Sequence, residues 1–338
     1  MGWPSSHCIY TKVVIDSNLK GFFLIIMARL KVLHLLYSGC EKGGAQRVAV
    51  ECAAYNADLY TSTVKSGGLS HLFKKKFIKF YKLIFNYKFD IIFCSDPRAL
   101  LLSLICLRSF LSKRYLILHS DKLLKSKKLI IFLCRFFSVH CICTTKTQFD
   151  TFNKHLSNVV LVRITDIPEM KLARQQSYSL LYFGRLDPIK NIHDIINIFS
   201  RLRKKNSRFK LTIVGTGSEC FEKTEGVEII REWKTQEELK SIMKKTSFII
   251  NATNHEGFSL QIMEGISNGL FPLVKSNGLI ANYNLSEECL LNIQNIENAI
   301  YLDNYEWQQV IAKFQESLCT YLEGTIHLKE YIRLEAKG

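Results

Sequence analysis

Two stretches of this chain carry the same local plan: an apolar run, a glycine-bearing turn and a helix of good formers. That repetition restricts the fold more than any other feature. In the first stretch, Leu30-Lys-Val-Leu-His-Leu-Leu-Tyr37 runs into the turn Ser38-Gly-Cys-Glu-Lys-Gly-Gly44 and then into a helix expected over 45–54. In the second, Ser179-Leu-Leu-Tyr-Phe-Gly-Arg185 leads to a helix expected over 194–204. A short apolar run bounded by turn residues reads as a buried strand, and strand, turn and helix in succession open a βαβ unit. Similar runs follow at 89–94, 115–119, 141–147 and 159–162, and again at 209–214, 227–230, 247–251 and 271–274. At 338 residues the chain is long enough for two domains. The expected fold class is therefore α/β, with two Rossmann-like parallel-sheet domains facing an interdomain cleft and ligands outside the carboxyl ends of the strands.

Residues 1–29 read as an N-terminal extension outside the fold: the apolar run 21–27 is too short to span a bilayer. The first, acceptor-side domain is expected over 30–168, a polar linker over 169–178 and the second, donor-side domain over 179–315. The helical segment 316–338 is free to pack back on the first domain. Eleven cysteines without any Cys-x-x-Cys pair read as reduced, buried thiols of a cytosolic protein, and Cys141-Ile-Cys143 is too isolated for a metal site.

Several turn residues lie just after expected strands and so can converge on the cleft. Gly43 and Gly44 allow close backbone approach to a ligand. His119 ends a strand before a loop. Gly184 turns the chain at a strand end, Arg185 offers a planar fork to phosphate oxygens, and Lys190 adds a mobile point charge. Gly215 and Gly217 end a strand where a base and ribose can lie. In the stretch 255–269, Glu256 precedes a helix with Ser259 as its N-cap, and Glu264 lies inside it, within reach of sugar hydroxyls. The first-turn N–H groups of such a helix favour a phosphate.

These segments together resemble the retaining GT-B glycosyltransferases, more narrowly family four, also called group one. The resemblance is carried by Gly-Gly-Ala-x-Arg at 43–47, Phe-Gly-Arg-Leu-x3-Lys at 183–190 and Glu-Gly-Phe-Ser-x4-Glu at 256–264, and it covers roughly residues 30 to 280. It implies the GT-B fold and transfer of a sugar from a nucleotide sugar, a UDP-sugar, to a glycan acceptor with retention of anomeric configuration. It places Glu256, Arg185, Lys190 and His119 as catalytic residues. Gly184, Gly215, Gly217, Gly257, Phe258, Ser259, Leu260 and Glu264 then bind the donor, and Gly43 and Gly44 form the acceptor-side loop. The pathway implied is bacterial-type surface polysaccharide or lipopolysaccharide biosynthesis. The chain departs from the family at two places. Arg163-Ile-Thr-Asp-Ile-Pro168 replaces an Asn-Gly turn, and Arg231-Glu232 replaces a glycine at the base pocket. No Asp-x-Asp occurs, so neither metal nor other cofactor is expected, the two cations of the 185–190 loop stabilising the leaving diphosphate. An epimerase of the same fold and an inactive sugar-binding partner are the alternatives. The first would need extra carboxylates and histidines in the cleft, and the second predicts loss of Arg185, Lys190 or the glutamates.

Lysine and arginine outnumber aspartate and glutamate by 46 to 30, a net charge of +16. Such an excess points to anionic partners. The stretch 71–85 reads as one basic amphipathic helix, with Phe73, Phe77, Phe80 and Ile84 on one face, Lys75, Lys79 and Lys82 opposite, and Ile78 and Phe85 on the shoulder. This is a membrane-surface pattern, although a core-facing stripe with a solvated basic face has the same spacing. The expected partners are thus a nucleotide sugar, a lipid-linked or other glycan acceptor and an anionic membrane surface met through Lys74, Lys75, Lys79 and Lys82, with no nucleic acid. The expected location is cytoplasmic, peripheral on the inner face of the membrane.

Overall fold

The computed structural model describes residues 30–38, 44–55, 59–65, 77–106, 109, 111–119, 121–164, 177–254, 256, 259–275, 279, 285–322 and 325–337. Two parallel sheets organise the chain. The first is built from β1 (Val32–Ser38), β2 (Leu59–Lys65), β3 (Ile91–Cys94), β4 (Lys113–Leu118), β5 (His140–Cys143) and β6 (Val159–Arg163), with α1 (Gly44–Tyr55), α2 (Phe80–Phe85), α3 (Pro97–Ser103), α4 (Lys127–Phe136) and α5 (Lys146–Asn153) between them. The second is built from β7 (Ser179–Phe183), β8 (Lys210–Val214), β9 (Val227–Ile230), β10 (Phe248–Asn251) and β11 (Phe271–Val274), with α6 (Ile192–Lys205), α7 (Gln236–Met243) and α8 (Leu260–Ser267). After α9 (Ile293–Tyr301) and α10 (Asn304–Leu322), a two-residue strand β12 (Ile326–His327) and α11 (Leu328–Lys337) close the chain.

The strand orders are β12-β6-β5-β4-β3-β1-β2 and β11-β10-β7-β8-β9. Every pairing within them is parallel, for example Leu35 with Cys94 and Leu180 with Leu211. Strands buried on both faces need continuous apolar runs. Those of β3 and β10, Ile-Ile-Phe-Cys and Phe-Ile-Ile-Asn, are buried at every position. The helices begin where local chemistry satisfies their free N–H groups. Asp96 accepts from the N–H groups of Arg98 and Ala99 at 2.8 and 3.1 Å, with Pro97 in the first turn. Thr235 and Glu238 form the capping box its spacing predicts.

Three expectations about elements change. The apolar run after β3 reads in sequence as a helix over 99–110, but α3 ends at Ser103. The helix expected from Asp194 starts earlier, at Ile192. The basic stretch 71–85 is not one helix: Phe77 makes a parallel bridge with Thr61, the Ile78 N–H donates to the Thr61 carbonyl at 2.9 Å, and Lys79 is extended. Of residues 77–85 only 80–85 are helical, and residues 71–76, with Phe73, Lys74 and Lys75, lie outside the described residues. Ile78, expected on an exposed shoulder, is buried at 7% exposure because the bridge carries it onto the sheet. Lys79 and Lys82 are exposed, as is Phe85.

The end of the chain links the two sheets. Trp307, at the start of α10, is buried against Phe248 and Phe271 of the second sheet. β12 then pairs with β6 of the first sheet, and Leu328 and Ile332 of α11 are fully buried. Tyr55 at the end of α1 donates to Glu330 at 2.8 Å, and Lys113 of β4 pairs with Glu335 at 2.9 Å. No described helix is long and apolar enough to cross a membrane. Cys52, Cys94, Cys106, Cys134, Cys141, Cys143 and Cys289 are buried free thiols, and Cys220 is an exposed one.

Candidate active site

The second sheet's carboxyl edge gathers most of the expected donor-side residues. β7 ends at Phe183, and Gly184 follows with φ +153°. Next to it, Gly215 leaves β8 with φ +152°. A Cβ on Gly215 would lie 1.8 Å from the Gly184 carbonyl oxygen, and one on Gly217 would lie 2.2 Å from that of Leu186. No side chain fits there, so the two loops lie backbone against backbone, joined by Gly184 N–H to Val214 O and Leu186 N–H to Thr216 O, both 2.9 Å. The glycines that the sequence offers as a ligand wall thus have a prior use, which is to let the 184–186 turn rest on the 215–217 turn.

That support holds Arg185 and Lys190. The buried Tyr182 hydroxyl donates to the Arg185 carbonyl at 2.7 Å. The Arg185 guanidinium lies 2.9 Å from Asp187. A 3₁₀ turn, Pro188–Lys190, ends in Asn191, which takes the left-handed conformation with φ +51° and donates through Nδ2 to the Ala252 carbonyl at 3.0 Å, past the end of β10. This crosslink brings Lys190 to Glu256: Nζ to Oε2 is 2.7 Å, and each side chain keeps only about a fifth of its exposure. Lys190 is therefore not the mobile charge its sequence context suggests. It is held by a carboxylate from the neighbouring strand end, which keeps a cation and an anion side by side in a partly desolvated place.

The β10–α8 connection is tied by amides. Asn251 Nδ2 donates to Ser259 Oγ at 3.3 Å and to Gln261 Oε1 at 3.2 Å, its Oδ1 accepts from the Thr253 N–H at 2.9 Å, and Gln261 Nε2 donates to the Ile250 carbonyl at 2.9 Å. Ser259 caps α8 as expected, accepting from the Ile262 N–H at 3.4 Å. The Thr253 hydroxyl is buried with no hydrogen-bond partner among the described residues. Glu264 is half-buried one turn into α8 and Leu260 half-buried at its start, while Gly257, Phe258 and His255 lie outside the described residues.

On the first sheet, α1 starts at Gly44, and Gly43 lies outside the described residues. His119 directly follows β4, and its Nε2 is buried without a partner among the described residues. His34 of β1 is fully buried, with Nε2 2.8 Å from Ser95 Oγ and Nδ1 unpartnered among the described residues. Burial pushes the His34 ring down to about 3, with the nearby His119 adding to the effect, and burial pushes His119 down to about 4. Both rings are neutral at neutral pH, so each presents an uncharged donor or acceptor.

Sequence reasoning passed over Asp187, Asn191, Asn251, Gln261, Thr253 and His34. Asn191 had a legible signal: an Asn between a Pro turn and a helix suits the left-handed region. The others are ordinary polar residues in apolar runs, and only the fold shows what they touch. A surface pocket lined by Leu30, Asp90, Lys113 and Glu335 lies apart from this site, with Lys113 at the amino end of β4. Among the described residues no group of three or more His, Cys, Asp or Glu is placed to hold a metal ion.

Residues 177–299 match the family model for Glycosyl transferases group 1. Over 171 residues the chain is 20% identical to the GDP-mannose:cellobiosyl-diphosphopolyprenol alpha-mannosyltransferase of Xanthomonas oryzae pv. oryzae, covering 40% of this chain and 45% of that protein. It is 21% identical over 196 residues to the protein of the same name from Xanthomonas campestris, covering 48% and 51%. The chain thus spans about half the length of the curated relatives it matches. Among solved structures, HepE of Anabaena in complex with UDP and glucose superposes with a TM-score of 0.67 at 15% identity, covering 90% of this chain and 98% of that one. An E. coli structure described as trehalose-6-phosphate bound with UDP-2-fluoro glucose superposes with a TM-score of 0.60 at 10% identity, covering 90% and 99%.

Proposed function

We propose, for a chain that has the GT-B fold and carries the group 1 glycosyltransferase module over residues 177–299, the transfer of a hexose from a nucleotide sugar to a glycan acceptor on a lipid carrier, with retention of anomeric configuration. The observation that carries the reading is the Lys190–Glu256 pair, 2.7 Å apart, with Arg185 on the same supported loop. Two cations and a carboxylate at one strand edge suit a sugar joined to a diphosphate. Arg185 and Lys190 take the negative charge that grows on the diphosphate as the bond to the sugar breaks. Glu256 holds the donor sugar from one side and His119 from the other. Glu264 accepts from the ribose, and the first turn of α8 lies toward the phosphates.

The acceptor oxygen attacks the anomeric carbon on the face the diphosphate leaves. The carbon–oxygen bond to the phosphate breaks as the bond to the acceptor forms, and the acceptor's proton passes to the departing phosphate oxygen. The protein supplies alignment and charge stabilisation rather than a covalent nucleophile. Charge neutralisation by Arg185 and Lys190 supports a reaction without metal, and activity is expected to survive EDTA. Loss with EDTA that Mg2+ or Mn2+ restores would overturn that expectation.

UDP is the donor nucleotide we favour, from the structures of similar fold that hold UDP or a UDP-sugar. GDP-mannose is the second reading, since the curated relatives carry it in their names, which also point to a polyprenol-linked acceptor. The place of action we propose is the cytoplasmic face of the membrane, in surface polysaccharide or lipopolysaccharide assembly. Calorimetric titration with UDP- and GDP-sugars, followed by donor-hydrolysis assays and NMR of the product anomer, tests the whole reading. Tight binding of one nucleotide sugar, lost in Lys190→Ala, is expected. Absence of binding to every nucleotide sugar would refute it, and an inverted anomer would refute retention.

A further inference from the structure

The first sheet has two faces, and the helices on one of them carry an apolar surface that stays exposed among the described residues. Chain direction across β2, β3, β4, β5 and β6, with right-handed crossovers, puts α2, α3, α4 and α5 on the same face. Their inward side chains Leu83, Leu100, Leu133 and Phe152 share one core with Leu33 and Leu35 of β1. The outward side of α4 is not what a solvated helix shows. Leu129, Phe132 and Phe136 are 49%, 58% and 70% exposed. They follow one another at helical spacing, and the rings of Phe132 and Phe136 stack with centroids 5.6 Å apart. Ile130, Leu133 and Cys134 point the other way and are buried, so the exposed stripe is not a misplaced core face.

Charge surrounds the stripe. Lys125, Lys127, Lys128 and Arg135 are all exposed. No Asp or Glu occurs between Asp121 and Asp150. On the same side, α2 exposes Phe85 at 62% beside Lys82, and Ile105, after α3, is 47% exposed. Isolated apolar residues on a surface need no explanation, whereas a stripe of them framed by one sign of charge does.

We propose that the outer face of α4, centred on Phe132 and Phe136, docks on an anionic lipid bilayer. Aromatic and leucine side chains on one stripe with lysines alongside are what an interfacial helix needs: the rings enter the headgroup boundary and the cations meet lipid phosphates. The place in the fold suits the site. The connection that leaves β4 carries His119, then the turn Asp121–Ser126, then α4, so the docking face starts eight residues after a candidate site residue. The surface is centred on α4, whereas the sequence suggested one at 71–85, of which residues 71–76 lie outside the described residues. Its purpose rests on the lipid-linked acceptor proposed above, but docking itself does not.

Sedimentation of the full chain with vesicles tests it without donor or acceptor, so failure leaves the transferase reading standing. Vesicles of phosphatidylglycerol and phosphatidylethanolamine should retain the protein, vesicles of phosphatidylcholine should not, and added salt should release it. Phe132→Ser/Phe136→Ser should lower the partition coefficient at least tenfold at an unchanged melting midpoint, since both rings are exposed. Phe136→Trp should report insertion as a blue shift in emission on anionic vesicles alone. Equal recovery in the supernatant with both vesicle types overturns the proposal, as does binding that the double serine variant leaves unchanged. Self-association that this variant abolishes, in the absence of vesicle binding, assigns the face to a second copy of the chain and overturns it equally.

Discussion

Lys190 is the residue where stability and the proposed chemistry meet. Removing its ammonium strips a charge from the proposed diphosphate site and leaves Glu256 without its partner. Lys190→Ala is expected to lose about 2–4 kcal/mol of transition-state stabilisation, the scale of one electrostatic donor. It should also lose about 1–2 kcal/mol of stability, below the range for a fully buried pair because both side chains keep some exposure. Steady-state kcat/KM and a denaturant melt of the same variant separate the two effects, and an unchanged kcat/KM would remove Lys190 from the site. His34 and His119 set a pH limit. Their folded values, about 3 and about 4, lie below the ordinary 6.5. The unfolded chain therefore binds more protons between those values, so the stability contributed by the neutral rings is whole above pH 6.5 and is lost as pH falls from there towards 4. A series of melts across that window should show the decline, and His34→Asn should flatten it. An equally steep decline in the variant would assign the loss to other groups. At this scale Arg185, Lys190 and Glu256 were legible as candidates from their motifs. Their pairing was not, because the Lys190–Glu256 contact depends on Asn191 reaching across to Ala252.

At the scale of elements, the β10–α8 connection owes its geometry to a glycine that the sequence reading did not single out. A Cβ on Gly265 would stand 2.6 Å from Ile249 Cγ2, so helix and strand approach more closely than any side chain allows. Ile249 is β-branched and cannot swing aside. Gly265→Val should push α8 off the sheet, costing about 1–3 kcal/mol as overpacking does, and should weaken nucleotide binding by displacing the Ser259 end of the helix. Thermal denaturation and titration with UDP check both, and a variant that melts and binds like the parent would show that α8 has slack. The signal was in view, a glycine inside a helix of otherwise good formers, but sequence alone does not say which strand it faces. The basic stretch 71–85 shows the converse. Its apolar spacing fits a helix, yet Phe77 and Ile78 are spent on the sheet edge, since a backbone bridge to Thr61 and burial of Ile78 outweigh a weak local preference.

At the scale of the whole molecule, the last segment closes the first sheet. A chain ending at Leu322 loses β12 and α11, and with them the partners of Tyr55 and Lys113 and the cover that buried Leu328 and Ile332 give to α1. Such a truncation should melt at a clearly lower temperature and bind a dye for exposed apolar surface. An unchanged melt would mean that the first sheet is complete without its edge. The two-sheet α/β architecture was determined by the sequence alone, because parallel strands buried on both faces require unbroken apolar runs and helices require spaced ones, and these alternate openly from Val32 to Val274. The strand-end turns carrying Gly184, Arg185, Glu256 and Ser259 were likewise fixed by local chemistry, by glycine, capping serine and charge. What only the tertiary structure decided is contact between residues far apart in the chain. Lys190 meets Glu256, Gly215 meets Gly184, Glu330 meets Tyr55, and the rings of α4 are left facing outward. A periodicity states that a helix has an apolar face. Whether that face meets a sheet or is left bare depends on which elements the fold has already placed beside it.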